Sequence, residues 1–148
     1  MKTVIQRVEQ AQVTVEDKNI AKITKGILIF LCIENKDLPA DADYLIDKIT
    51  NLRIFEDNAG KMNLSIKDIK GELLVVSEFT LSGNCSKGRR PSFEKAANPK
   101  IAEELYEYFL KKLKTHPLKV EAGIFRAMMD VHIVNDGPVT FIIDSQKK

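Results

Sequence analysis

The sequence predicts an α+β domain in which antiparallel sheets are packed by two main helices. Three observations carry that prediction. Apolar and polar side chains alternate through Thr3–Val8 and Gln12–Val15, an unbroken apolar run follows at Ile27–Ile33, and two later segments repeat apolar residues at helical spacing. A chain of 148 residues, 44% hydrophobic and 30% charged, fits a single domain spanning 1–148. At roughly 70% of unfolded-chain surface buried for this size, its core needs neither disulfide nor metal.

Each element follows in order. The two alternating segments, with Asp17-Lys18-Asn19 as a turn before Ile20–Ile23, predict an antiparallel meander. Gly26 precedes Ile27–Ile33, whose continuous apolar character fits a strand buried on both faces. Ala40–Leu52 reads as the first helix: Pro39 and Ala40 stand at its start, Asp41 and Asp43 fall in its first turn, and Leu45, Ile49 and Leu52 recur at helical spacing. Short strands are expected at Arg53–Phe55 and Leu73–Val76, with a turn at Asn58–Gly60. The second helix has Asn98 as N-cap and Pro99 at its first position, with Ile101, Leu105, Phe109 and Leu113 spaced by four. It ends before His116-Pro117, where His116 reads as a cap. Val131–Val134 and Val139–Ile143, flanking Asn135-Asp136-Gly137-Pro138, read as a hairpin.

Composition excludes several function classes. Two cysteines, Cys32 in an apolar run and Cys85 in a Gly/Ser-rich loop, form neither a disulfide framework nor a CxxC pair, which suits a reducing compartment. Lys2, Arg7 and Glu9 interrupt the first ten residues, and no apolar run approaches the ~20 residues that span a bilayer. A cytoplasmic protein with no membrane partner is expected. With 23 Lys+Arg against 21 Asp+Glu the formal charge is only +2, so DNA binding is not expected from totals. Cations do cluster, however: Lys87, Arg89 and Arg90 occur between Phe79 and Phe93 without an acid, a loop suited to phosphate but also to a solvated turn. No metal-binding motif, Walker loop or GxGxxG occurs, so no metal or other cofactor is expected.

Three segments carry more chemistry than folding requires. Ser77-Glu78-Phe79-Thr80-Leu81 ends a strand ahead of a glycine-containing loop, where hydroxyls and backbone N–H groups can face a ligand or simply terminate the strand. Thr80 as a nucleophile needs a base, and neither His116 nor His132 is near in sequence; a lone strand histidine such as His132 reads as structural. In Asn135–Thr140, Gly137-Pro138 removes a backbone donor and is no plain hairpin turn, with a trans peptide as the default. In Gly123–Met129, Phe125 and Met129 suit either core or an apolar cleft for a flat ring.

Val4–Val8, Asn51–Asp57, Ser77–Leu81, the run Lys87-Gly88-Arg89-Arg90-Pro91-Ser92-Phe93 and Asn135–Thr140, in that order and across the whole chain, together resemble the D-aminoacyl-tRNA deacylase family. The resemblance implies that family's fold, with a barrel-like core, and a homodimer whose cleft lies at the subunit interface. It also implies hydrolysis of the ester joining a D-amino acid to the 3′ end of tRNA. Ser77, Glu78 and Leu81 would line the substrate. Backbone N–H groups near Phe79 and Thr80 would polarise the ester, a terminal ribose hydroxyl would help water attack, and no side-chain nucleophile would be used. Gly137 and Pro138, as a Gly–cis-Pro pair from the neighbouring subunit, would hold the substrate α-amino group through main-chain oxygens and leave no room for an L side chain. Glycine has no side chain to exclude, so glycyl-tRNA is also an expected substrate. Phe125 and Met129 would pack the terminal adenine, and Lys87, Arg89 and Arg90 would contact acceptor-end phosphates.

Two positions depart from the family pattern. The usual glutamine of the SQxTL-type segment is Glu78, an acceptor only when ionised, which calls for protonation, a salt bridge or an orientation away from the ester. The second glycine of GxFGAxM is Arg126, placed to clamp Glu78 or to press on the Gly137-Pro138 loop. These departures motivate a rival reading, a tRNA-end-binding module with weak or altered, L-aminoacyl editing; a further rival is a different esterase using Thr80 as nucleophile.

Overall fold

The computed structural model describes residues 1–147 as two helices and eight strands around two apolar cores. Strand β1 runs over Lys2–Val15, so the two alternating segments of the sequence form one strand. Along one edge it pairs antiparallel first with β3 (Gly26–Cys32), from Lys2↔Cys32 to Val8↔Gly26, and then with β2 (Lys18–Ile23), from Ala11↔Ile23 to Val15↔Lys18. The β1–β2 turn uses Glu16 and Asp17, both at positive φ.

Beyond β3 the pairing changes sense. Strand β6 (Glu72–Ser77) lies parallel to β3, and β7 (Lys119–Ala122) lies parallel to β6. The α+β class stands, but the expectation of wholly antiparallel sheets is corrected at these two ladders. The reason is topological: parallel neighbours need a long crossover, and each is joined by a helix-bearing one. Helix α1 (Pro39–Asn51) and a small hairpin, β4 (Phe55–Glu56) with β5 (Met62–Leu64), lie between β3 and β6. Helix α2 (Pro99–Leu113) lies between β6 and β7. The expected turn at Asn58–Gly60 closes the β4–β5 hairpin, and β5 itself was not foreseen. The Asn98 side chain accepts from the Ile101 N–H at 3.1 Å, as an N-cap should. His116 meets the end of α2 through its own N–H to Leu113 O, at 3.1 Å, and not through its ring.

The continuous apolar runs are explained by where their side chains go. Ile27, Ile29 and Leu31 of β3, with Leu73 and Val75 of β6, enter a core shared with Leu45 and Ile49 of α1 and Tyr106 and Phe109 of α2. The alternate residues Leu28, Leu74 and Val76 enter a second core on the opposite face, with Val8, Val13 and Ile23. All but the half-buried Phe30 are therefore interior, and periodicity two is hidden in the sequence.

The expected C-terminal hairpin is instead one strand, β8 (Asp130–Asp144). Both halves pair antiparallel with β1 along its other edge, Lys2↔Asp144 to Gln6↔Thr140 and then Val8↔Asn135 to Thr14↔Asp130. The chain does not reverse at Asn135–Pro138; it bulges outward and resumes the same ladder. Asn135 holds the bulge, its Nδ2 donating to Arg7 O at 2.8 Å and Val139 O at 3.2 Å. The Gly137-Pro138 peptide is cis, as the family resemblance implies and in place of the trans default that the residues alone suggest.

Candidate active site

The site grows from the end of β6. Ser77 is the last residue in register with β3, opposite Leu31, and the Glu78 N–H still donates to Leu31 O at 2.8 Å. Phe79–Ser82 then coil into one 3-10 turn, closed by the Gly83 N–H donating to Thr80 O at 2.9 Å. A Cβ on Gly83 would lie 2.8 Å from that oxygen, so the turn requires glycine there. Ser77, Glu78 and Phe79 form one wall of a cavity of about 370 Å3. Leu31, Ile33, Val76, Ala97, Ala102, Phe125–Met129 and Val131 line the rest of it.

The predicted residues are thus brought together in part. Ser77, Glu78, Phe79, Phe125 and Met129 line one cavity, while Thr80 and Leu81 lie in the turn beside it. Phe125 stacks on Tyr106, with ring centroids 5.4 Å apart, which fixes it from behind. Met129 is seated by Gly123, where a Cβ would stand 2.6 Å from the Met129 sulfur. Met128, 90% exposed at the rim, together with Ala97 and Ala102, was not singled out from the sequence. Two alanines flanking the Asn98-Pro99 helix start carry no chemical signal of their own; their small size is what opens the cavity.

Glu78 is turned back on its own chain. Its carboxylate accepts the Thr80 hydroxyl in a short hydrogen bond and the Thr80 N–H at 3.3 Å. The clamp expected from Arg126 is corrected: among the described residues no ion pair joins it to Glu78. Arg126 lines the cavity at φ +63°, the left-handed backbone that glycine adopts freely and other L-residues adopt at a cost. Neither histidine lines this cavity; His132 is exposed on β8, 3.5 Å from Thr14 Oγ1. Burial raises the thiol of Cys32, behind the turn, to about 11, so it stays protonated.

Lys87, Arg89 and Arg90 are exposed in a loop pinched by Asn84 and Ser92, which exchange backbone hydrogen bonds of 2.8 and 3.0 Å. The loop is tied to the cavity by Phe93, whose ring meets Phe79 edge-on at 5.1 Å. The Gly137-Pro138 corner, in contrast, is exposed and lines no part of the cavity of its own chain. It is held from below by Arg7, a buried cation on β1. Arg7 pairs with the Asp136 carboxylate at 2.9 Å and donates to Asp136 O at 3.2 Å and Ile54 O at 2.7 Å. In the sequence Arg7 is one of the charges among the first ten residues and part of the Val4–Val8 motif; the signal of its structural role is a charge at an inward position of an alternating strand.

Comparison with known proteins bears on this arrangement. The family model described as D-Tyr-tRNA(Tyr) deacylase matches residues 4–144. The D-aminoacyl-tRNA deacylase of Geotalea daltonii is 56% identical over 148 residues, covering 100% of this chain and 99% of the relative. That of Geotalea uraniireducens is 58% identical over 147 residues, covering 99% and 95%. Among solved structures, the c-Myc DNA unwinding element binding protein superposes with a TM-score of 0.92 at 42% identity, covering 97% of this chain and 98% of that one. A probable eukaryotic D-amino acid tRNA deacylase superposes at 0.84 with 15% identity, covering 96% and 97%, a likeness of fold.

Proposed function

Since the chain belongs to the D-Tyr-tRNA(Tyr) deacylase family, we propose that it hydrolyses the ester of D-aminoacyl-tRNA, releasing a free D-amino acid and tRNA. The observation that carries this reading is the cavity itself, lined by Phe79 at the start of the turn that holds Thr80 and by Phe125 and Met129. A terminal adenine fits between apolar side chains. In that pose the ester carbonyl meets the Thr80 N–H, which stabilises the oxygen as it becomes an oxyanion. Water, assisted by the neighbouring ribose hydroxyl of the substrate, adds to the carbonyl carbon. The bond to the 3′ oxygen then breaks, and that oxygen takes up a proton. The reaction as written uses no side-chain nucleophile; the Thr80 hydroxyl donates to Glu78, the contact a nucleophile makes with its base, and substitution of Thr80 tests that alternative.

Stereochemistry is assigned to Gly137 and Pro138. Gripping the α-amino group by main-chain oxygens fixes two substituents of the α-carbon, so inverting its hand drives the side chain into backbone. Because this corner stands away from the cavity of its own chain, the reading requires a homodimer in which each protomer supplies the corner to its twin. Exposed Ile133, Val134, Phe141 and Ile142 on β8, on both sides of the corner, support that interface. Lys87, Arg89 and Arg90 are assigned to acceptor-end phosphates. No helix among the described residues is long and apolar enough to cross a membrane, and a cytoplasmic location follows from the proposed substrate.

One observation favours a second reading. The Glu78 carboxylate covers the N–H that the reaction needs, as a tRNA-end-binding module with weak or L-directed editing would permit. The experiment is incubation with D-tyrosyl-, L-tyrosyl- and glycyl-tRNA while ester loss is followed. Fast release from the D-tyrosyl and glycyl esters with the L ester preserved supports the deacylase; binding without release supports the module; equal release of both hands overturns chiral selection. Unlabelled DNA, added because the 42%-identical structure is named for a DNA element, is expected not to compete.

A further inference from the structure

We propose that Ser82 and Cys32 are a positioning pair that aims the Thr80 N–H at the substrate, an inference that rests on the deacylase reading above. A trans peptide is planar, with its C=O and N–H pointing in opposite directions, so whatever holds the oxygen sets the direction of the hydrogen. The Phe79 oxygen accepts the Ser82 hydroxyl at 2.8 Å, and the Cys32 thiol approaches it from 3.6 Å. Both donors are buried, Ser82 to 4% exposure and Cys32 to 0%. Neither lines the cavity, so both act only through the Phe79–Thr80 peptide.

The anchor is firm on its other side as well. Cys32 closes β3 opposite Lys2 of β1, and Ser82 is the last residue of the turn that Gly83 caps. A thiol that keeps its proton is a donor, though a weak one, and the hydroxyl is the stronger of the two. With the oxygen held inward, the Thr80 N–H emerges on the opposite side, where the Glu78 carboxylate now receives it. A donor already aimed needs no reorganisation as the oxyanion forms. Loss of the Ser82 hydroxyl leaves the Phe79 carbonyl with the thiol alone, and the peptide plane is free to tilt.

The test is single-turnover hydrolysis of D-tyrosyl-tRNA over a range of enzyme concentrations by wild type, Ser82→Ala, Ser82→Thr, Cys32→Ala and the double alanine variant, each with its melting temperature. Ser82→Ala is expected to lower the maximal rate about tenfold with half-saturation unchanged within about twofold. The double variant falls further, and Ser82→Thr, which keeps a hydroxyl, recovers most of the loss. A Ser82→Ala enzyme at the wild-type maximal rate, a loss confined to half-saturation, or a folded Ser82→Thr enzyme as slow as Ser82→Ala overturns the proposal. If Ser82→Ala does not fold, Cys32→Ala decides: a lower maximal rate supports the pair and the wild-type rate overturns it. Wild type that fails to hydrolyse the D ester overturns the deacylase reading and this proposal with it, whereas active wild type with equally active variants overturns the proposal alone.

Discussion

Thr80 sits beside the proposed reaction centre, and its hydroxyl donates a hydrogen bond to the Glu78 carboxylate, two residues away. That contact gives the rival esterase reading the base it needs, so the substitution decides: if the backbone drives the reaction, Thr80→Ala keeps turnover within about tenfold of wild type, where loss of a true nucleophile costs several orders of magnitude; steady-state hydrolysis of D-tyrosyl-tRNA checks this. Glu78→Gln keeps an oxygen that accepts the Thr80 N–H and removes a negative charge near tRNA phosphate. Its rate should equal wild type or exceed it by up to about threefold, the scale of an exposed charge contact, and a collapse in rate would give the carboxylate a chemical role. Arg126 carries the opposite lesson. Its left-handed backbone costs an L-residue roughly 1–2 kcal/mol, partly offset against glycine by unfolded-chain entropy. Arg126→Gly should raise the melting temperature by about 2 °C. At this scale the sequence was informative where chemistry and family pattern coincided, as at Phe125 and Met129, and silent on Ser82, an ordinary serine until the turn buries it against a carbonyl.

Strand β8 shows what local signals miss. Asn-Asp-Gly-Pro between two apolar runs looks like a chain reversal, but both runs find register on β1, and the turn chemistry is spent on a bulge. The same failure explains the antiparallel expectation: β3 and β6 carry continuous apolar runs, the mark of strands covered on both faces, and the intervening helices are crossovers. Helix α2, whose limits depend on its own cap and proline, was legible to the residue at its start. The bulge also makes a prediction. A Cβ on Gly137 would stand 2.5 Å from Asn135 Oδ1, on a side chain pinned by two hydrogen bonds. Gly137→Ala must therefore move the corner or break those bonds. A fall of more than about tenfold in D-tyrosyl-tRNA hydrolysis, with far-ultraviolet circular dichroism unchanged, is expected.

For the whole molecule, cavity and corner occupy separate parts of one chain, and the proposed chemistry needs both. Ile142, 78% exposed on β8, is the most exposed of the apolar residues flanking that corner. Ile142→Glu should shift sedimentation from dimer to monomer and reduce hydrolysis in proportion, and activity retained by a monomer would separate the two. The proposed assembly is not legible from composition, because scattered exposed apolar side chains are ordinary and only their gathering along one strand has meaning.

The double-sided strands β3 and β6 have a last consequence. Since neighbouring residues in them serve different interiors, inserting or deleting one residue would exchange the tenants of both chambers at once. Only the connecting loops can change length without that exchange, while the turn of the candidate site, fastened to the tip of β6, inherits the immobility of a beam that cannot slide.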